Sequence, residues 1–224
     1  MQNQIDQITW RDGNTPVSTR FDDPFFSLQD GVAETRHVFM QGNHLPARFV
    51  PGFHIAELGF GTGLNLLIAW DAWTDLAMAG PLRFTSFEAY PMTQADMIRA
   101  HRSFPAFGGK RDLLAQAWSG AGGVIELPGL HAEVIEGDAR ITLPRWHDKA
   151  DAWFLDGFSP AKNPEMWSSE LMVEVGKHTH AHGTAATYTA AGFVRRGLGD
   201  AGFTVERVPG FGRKRHMTCA RMPT

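Results

Sequence analysis

The stretch FHIAELGFGTGLNLLIAWDAW, residues 53–73, decides the fold. An apolar run at 53–58 is broken by glycines at alternate positions, Gly59, Gly61 and Gly63, and an apolar helix-forming segment follows from Leu64. That is a strand, a sharp turn and a helix. Glycines there let the backbone turn tightly and approach a ligand, with a helix N-terminus behind them. The spacing is GxGxG, and Leu64 stands where the third glycine of a dinucleotide fingerprint falls. This counts against NAD and FAD and suits a nucleoside-type ligand without a pyrophosphate.

Outward from this turn the same alternation continues. Strands are expected at LRFTSFEA (82–89), HAEVIEG (131–137), DAWFLDG (151–157) and GTAATYT (183–189). Helices are expected at PMTQADMIRAHRSF (91–104), NPEMWSSELMVEVGKH (163–178) and AAGFVRRGLGDAG (190–202). Two strands, FTVERVP (203–209) and RHMTCARM (215–222), close the chain with no helix between them, so they form an antiparallel hairpin. The reading is α/β, a Rossmann-like mostly parallel sheet of seven strands with an antiparallel C-terminal hairpin. Residues 1–50 form an N-terminal loop-rich extension contributing to the site, with ITW and PVST flanking RDGN as a hairpin, and 51–224 form one compact unit. Segment 105–130 has no clear period.

Composition agrees with a globular protein. The 224 residues are 43% hydrophobic and 20% charged, with a net charge of −3, which excludes disorder. There is no apolar run near the ~18 residues a spanning helix needs. The N-terminus MQNQIDQITWRDG lacks the basic flank and apolar stretch of a secretory signal. With one cysteine, Cys219, expected as a small core residue, an internal disulfide is excluded; the cytoplasm is the expected location. The balanced total hides a basic C-terminal end: Arg195, Arg196, Arg207, Arg213, Lys214, Arg215 and Arg221 against Asp200 and Glu206. Charge alone favours a solvated face there, yet a local basic face also binds phosphates.

In an open α/β sheet, ligands sit at the carboxyl ends of the strands. Glu88 ends the second strand, where a carboxylate can accept hydrogen bonds from vicinal ribose hydroxyls; Asp138 ends the third, where it can bond an adenine amino group or cap the following segment. Together with the glycine turn, these resemble the S-adenosylmethionine (SAM) site of Rossmann-like methyltransferases. Asp156 ends the fourth strand in DGFSPAKNP (156–164), where two prolines stiffen the loop. It can accept a hydrogen bond from an amine and orient its lone pair. Phe158 can wall a base, whereas Trp167 is expected in the core. HTHAH (178–182) is read as the end of a helix capped by Gly183, with His178 and His182 on one face and no third metal ligand. No metal is expected.

FSLQDGVAETRHVFMQGNHLPARF (26–49), IAELGFGTGLN, WFLDGFSPAKNPEMW, AAGFVRRGL and GFGRKRHM together resemble the methyltransferase domain of the MnmC family of tRNA wobble-uridine modification enzymes, and its free-standing MnmD-like relatives. The resemblance spans about residues 20–218. It implies SAM-dependent N-methylation of 5-aminomethyluridine, usually 2-thiolated, at the tRNA wobble position. By motif, Glu57, Gly59, Gly61, Gly63, Asn65, Glu88 and Asp138 are the cofactor-binding candidates. Asp156 lies beside the methyl group and the amine as the catalytic candidate. Phe158, Lys162, Asn163, Arg195, Arg196, Arg213, Lys214 and Arg215 are candidates for contacts to the tRNA anticodon loop. Phe25 stands where the family often carries tyrosine, and the chain stops at Thr224, where bifunctional members continue into a flavin-dependent oxidoreductase domain. The aminomethyl substrate is thus expected from a separate FAD-dependent oxidoreductase or another branch. Three other readings are a methyltransferase of a small amine or protein, a nicotinamide- or flavin-dependent oxidoreductase, and a non-catalytic SAM- or RNA-binding module.

Overall fold

The computed structural model describes residues 8–224; the start of the N-terminus, residues 1–7, lies outside them. The expected first hairpin is present. Strand β1 (Ile8–Arg11) pairs antiparallel with β2 (Thr15–Ser18), and β3 (Asp23–Pro24) adds to its other side. A helical stretch follows: α1 (Gly31–Thr35), one π-helical turn (Arg36–Met40) and a 3-10 turn (Gln41–Asn43). Asp30 caps α1 by accepting from the Ala33 N–H at 2.8 Å.

The main sheet is built from β4 (His54–Leu58), β5 (Leu82–Glu88), β6 (Gly123–Leu127), β7 (Leu130–Glu136), β8 (Ala150–Leu155), β9 (Thr179–Thr187), β10 (Thr204–Pro209) and β11 (His216–Arg221). Their order is β10-β11-β9-β8-β4-β5-β7-β6. The five central strands run parallel, and the C-terminal hairpin is antiparallel as expected. All seven expected strands are present. An eighth, β6, lies in the segment that had no clear period and pairs antiparallel with β7 at the far edge.

Helices cover both faces. Along β8 the side chains alternate between two cores: Ala152 and Phe154 face α2 (Leu64–Asp75), α3 (Gln94–His101) and α4 (Gly108–Ala117), while Trp153 and Leu155 face α5 (Ala139–Thr142), α6 (Ser169–Lys177) and α7 (Gly192–Asp200). A strand buried on both faces reads as a continuous apolar run, which is why 53–58 and 150–155 were legible. The chain runs from β4 through β5 to the β7–β6 edge, then returns to place β8 on the other side of β4. This reversal opens a crevice at the carboxyl ends of β4 and β8. Among the described residues, no helix is long and apolar enough to cross a membrane.

One local reading is corrected. Helix α6 ends at Lys177, and Thr179 already belongs to β9, so His178 and His182 share no helix face. His178 is the C-cap, its ring nitrogens 2.8 Å from the Glu174 carbonyl and 2.9 Å from the Trp146 carbonyl. His182 sits at φ +63, where the β8–β9 register slips. Among the described residues no His, Cys, Asp or Glu cluster is arranged for a metal.

Candidate functional site

A cavity of about 880 Å³ opens at the carboxyl edge of the sheet, against the glycine turn. Gly59, Gly61, Asn65, Glu88, Asp138, Asp156, Phe158, Asn163, Arg213 and Lys214 all line it. The first two glycines sit at positive φ, +91 and +52. A Cβ at Gly59 would stand 2.7 Å from the Asp156 carbonyl oxygen, so the turn fits flush against the loop after β8. Glu88 accepts from the Gly61 N–H at 3.0 Å and from the Tyr90 N–H at 2.7 Å, which ties the end of β5 to the turn. Asp138 caps α5 through the Arg140 N–H and also receives the Arg140 guanidinium, its Nη2 at 2.6 Å. Its capping reading is therefore realised beside the cavity, and Arg140 holds its carboxyl below the ordinary value.

Asp156 is the focus of a buried polar cluster. Asn65 donates from Nδ2 to Asp156 Oδ2 at 2.7 Å and to Glu57 Oε1 at 2.8 Å. Ser86 bonds Glu57 Oε2 at 2.7 Å. Burial pushes Asp156 up to about 7, with the Asn65 bond opposing the shift. Glu57 is fully buried without an ion-pair partner among the described residues, and desolvation raises it well above the carboxylate range.

The outer wall comes from residues 19–29, a strap laid over the loop after β8. Phe21 stacks on Phe158 at 4.8 Å between ring centroids, and Phe25 meets it edge-on at 5.1 Å. Asp23 accepts from the Ser159 N–H at 2.9 Å. Arg20 reaches Tyr90, its guanidinium 4.4 Å above the ring. At the remaining side Tyr188 donates to the Gly157 carbonyl at 2.8 Å, and Lys214 lies 4.1 Å over its ring while bonding Glu34 at 2.9 Å.

Several sequence candidates lie off the cavity wall. Glu57 is one layer deeper, behind Asn65. Gly63 starts α2 with its Cα turned toward Phe60 and Leu114. Lys162 is held by Asp22 and by Asp23 at 3.9 Å, so it fastens the strap. Arg195 reaches back to the Ala190 carbonyl, and Arg196 and Arg215 are exposed and do not line the cavity. Trp167 is buried, as expected, and donates to the Phe158 carbonyl at 2.8 Å. Sequence reasoning missed Thr35, Glu34, Ser86 and Tyr188. The motif ETR (34–36) held the first two, but nothing local to them points across the fold.

A family model described as S-adenosyl-L-methionine-dependent methyltransferase matches residues 111–223. Among solved structures, the chain is similar to MNMC2 from Aquifex aeolicus, at 24% identity and TM-score 0.78, covering 100% of this chain and 73% of that one. It is also similar to TrmN from Thermus thermophilus, at 15% identity and TM-score 0.50, covering 81% and 47% of the two chains. Both are likenesses of fold.

Proposed function

Because the chain belongs to the S-adenosyl-L-methionine-dependent methyltransferases, the family whose model spans half of it, we propose that it N-methylates 5-aminomethyluridine, with or without a 2-thio group, at the tRNA wobble position to give 5-methylaminomethyluridine. SAM is the methyl donor, and the residues present fit it. Two positive-φ glycines form a cradle facing the cavity, and the Glu88 carboxylate stands at the adjoining strand end. In this reading Gly59, Gly61 and Glu88 hold the donor, with Asp138 at its adenine end.

The observation that carries the reading is Asp156, a half-buried carboxyl group facing a cavity that also offers an aromatic wall of Phe21, Phe25 and Phe158. SAM supplies a methyl carbon that is already strongly electrophilic. The protein's work is therefore alignment and electrostatics. Asp156 accepts a hydrogen bond from the attacking amine and points its lone pair along the transfer axis. As the nitrogen–methyl bond forms, the donor's carbon–sulfur bond would break to leave a neutral thioether; the Asp156 carboxylate would stabilise the positive charge growing on nitrogen, and the nitrogen proton would then pass to water. The phenylalanines flank the uracil ring once it is splayed out of the anticodon loop. The strap places residues of the first fifty in the site beside the 51–224 unit.

Arg213 and Lys214 line the cavity and Arg195, Arg196 and Arg215 do not; all five are phosphate contacts for the loop in this reading. None of these arginines has an ion-pair partner among the described residues. If about four phosphates are neutralised, tRNA affinity falls on the order of 50-fold between 50 and 200 mM salt. Filter binding at the two salt levels checks this, and an unchanged affinity removes the basic footprint. The work belongs in the cytoplasm with tRNA, downstream of a separate FAD-dependent oxidoreductase that yields the aminomethyl group.

The deciding experiment incubates the protein with labelled SAM and tRNA carrying 5-aminomethyluridine, alongside unmodified tRNA and free amines. Mass spectrometry of the wobble nucleosides is expected to show one added methyl on the aminomethylated tRNA alone. Methylation of a free amine or a protein with no nucleoside product would reject the RNA substrate.

A further inference from the structure

Thr35 is buried at the junction where α1 gives way to the π-helical turn. π-Helical turns inside helices recur at functional sites. Its hydroxyl donates to Asn65 Oδ1 at 3.0 Å across thirty residues of sequence. The same Asn65 carboxamide gives its Nδ2 hydrogens to Glu57 and to Asp156. A carboxamide has one acceptor end and one donor end. Rotated by half a turn, Asn65 would aim its oxygen at two carboxyl groups and its NH2 at Thr35. The two carboxyl groups that accept from Nδ2 select against that rotation, and the Thr35 hydroxyl, donating to Oδ1, holds the carboxamide at its other end; no other residue bonds Asn65 Oδ1 among the described residues.

We propose that Thr35 is a positioning residue for methyl transfer: its hydroxyl fixes the Asn65 carboxamide, which in turn holds the Asp156 carboxyl in one orientation toward the acceptor nitrogen. The proposal rests on the reading that Asp156 faces the acceptor amine. The charged and titratable groups around Asp156 are few. Glu57 lies behind Asn65, Glu34 raises Asp156, and Lys214 lowers it. Tyr188 is half-buried beside it and is pushed up by desolvation and by Asp156, Asp23 and Glu34, so it stays neutral. Glu57 is desolvated and is bonded by Ser86 as well as by Asn65. The Asn65 bond favours the ionised form of Asp156 against its burial. Loosening the carboxamide therefore raises the Asp156 pKa.

The test compares Thr35→Val, which keeps the shape and removes the hydroxyl, with Thr35→Ser, which keeps the hydroxyl. Asp156 is titrated directly by carbon NMR of protein labelled at the aspartate carboxyl, with Asp156→Asn assigning the signal and no RNA present. Thr35→Val is expected to move the Asp156 midpoint up by about 0.5–1 unit, the scale of one hydrogen bond to a carboxylate. It is also expected to slow single-turnover methyl transfer about tenfold at pH 7, with the SAM Kd within about twofold. The acid limb of its rate–pH profile shifts upward by the same amount as the NMR midpoint. Thr35→Ser returns both readouts to the parent values. An Asp156 midpoint unchanged in Thr35→Val, or not restored in Thr35→Ser, overturns the proposal. A parent protein that titrates as expected yet methylates no tRNA defeats the wobble-uridine reading, and the NMR comparison still decides the part played by Thr35.

Discussion

Asp156→Ala is expected to lower methyl transfer by at least about 10²–10³-fold, the scale for removing a preorganised electrostatic partner of the transition state. SAM binding, read by calorimetry, changes less than about tenfold. The two outcomes separate because the proposed donor cradle consists of Gly59, Gly61 and Glu88, whose mutual bonds do not pass through the Asp156 side chain. The Asp156 main chain stays fixed by its N–H bond to the Leu58 carbonyl at 3.1 Å. Full activity in Asp156→Ala would remove this residue from the chemistry.

The same residue carries a pH signature. Burial raises its folded-state pKa from 3.8 to about 7. The unfolded chain therefore loses this proton first. The group's contribution to stability is complete below about pH 4, declines as the pH climbs, and is gone above about pH 7. Asp156→Asn removes the ionisation and keeps an acceptor for Asn65. At pH 8 it should raise Tm by several degrees, at roughly 2–4 °C per kcal/mol for a chain of this size, while activity collapses. At pH 4 the gain should vanish. A Tm difference that is the same at both pH values contradicts the burial argument.

Gly59→Ala is the second large effect. The position lies at φ +91, where a side chain alone costs about 1–2 kcal/mol. The larger problem is the neighbour, because a new Cβ would stand 2.7 Å from the Asp156 carbonyl oxygen and 3.3 Å from its carbonyl carbon. Backbone on both sides is pinned, Gly59 by its N–H to the Phe87 carbonyl at 2.9 Å and Asp156 to β4. Neither can yield without displacing the reactive carboxyl. We expect a Tm loss of several degrees and at least about 100-fold less methyl transfer. Gly61→Ala meets only the Phe25 ring edge, at 3.2 Å, and should cost less on both measures. Equal, near-parental behaviour of both variants in thermal denaturation and SAM calorimetry would refute the close-contact account.

These effects fall on residues that the sequence made visible, for a physical reason. Glu88, Asp138 and Asp156 each end an apolar run, and a parallel sheet delivers the ends of its strands to one edge. The glycine turn was equally legible. Segment 105–130 was not, because Gly108, Gly109, Gly122 and Gly123 interrupt any period, and β6 is an edge strand with Val124 left 58% exposed. His178–His182 misled because a capped helix end and the start of an exposed strand share the same polar, small-residue composition. Thr35 and Tyr188 reach the site from distant elements, and no local pattern encodes a contact 30 or more residues away. Charge counting found the basic C-terminal end but not its direction. Arg213 and Lys214 turn toward the cavity, whereas Arg195 bends back onto its own helix start.

The strap of residues 19–29 meets the Phe158 loop through rings and the carboxylates of Asp22 and Asp23, while the glycine turn and Glu88 come from elsewhere in the chain. Under the proposed function, recognition of what is modified and grip on what is donated are written in separate stretches of the gene. Exchanging the former for that of a relative with a different acceptor offers a route to retargeting that leaves the latter's code untouched.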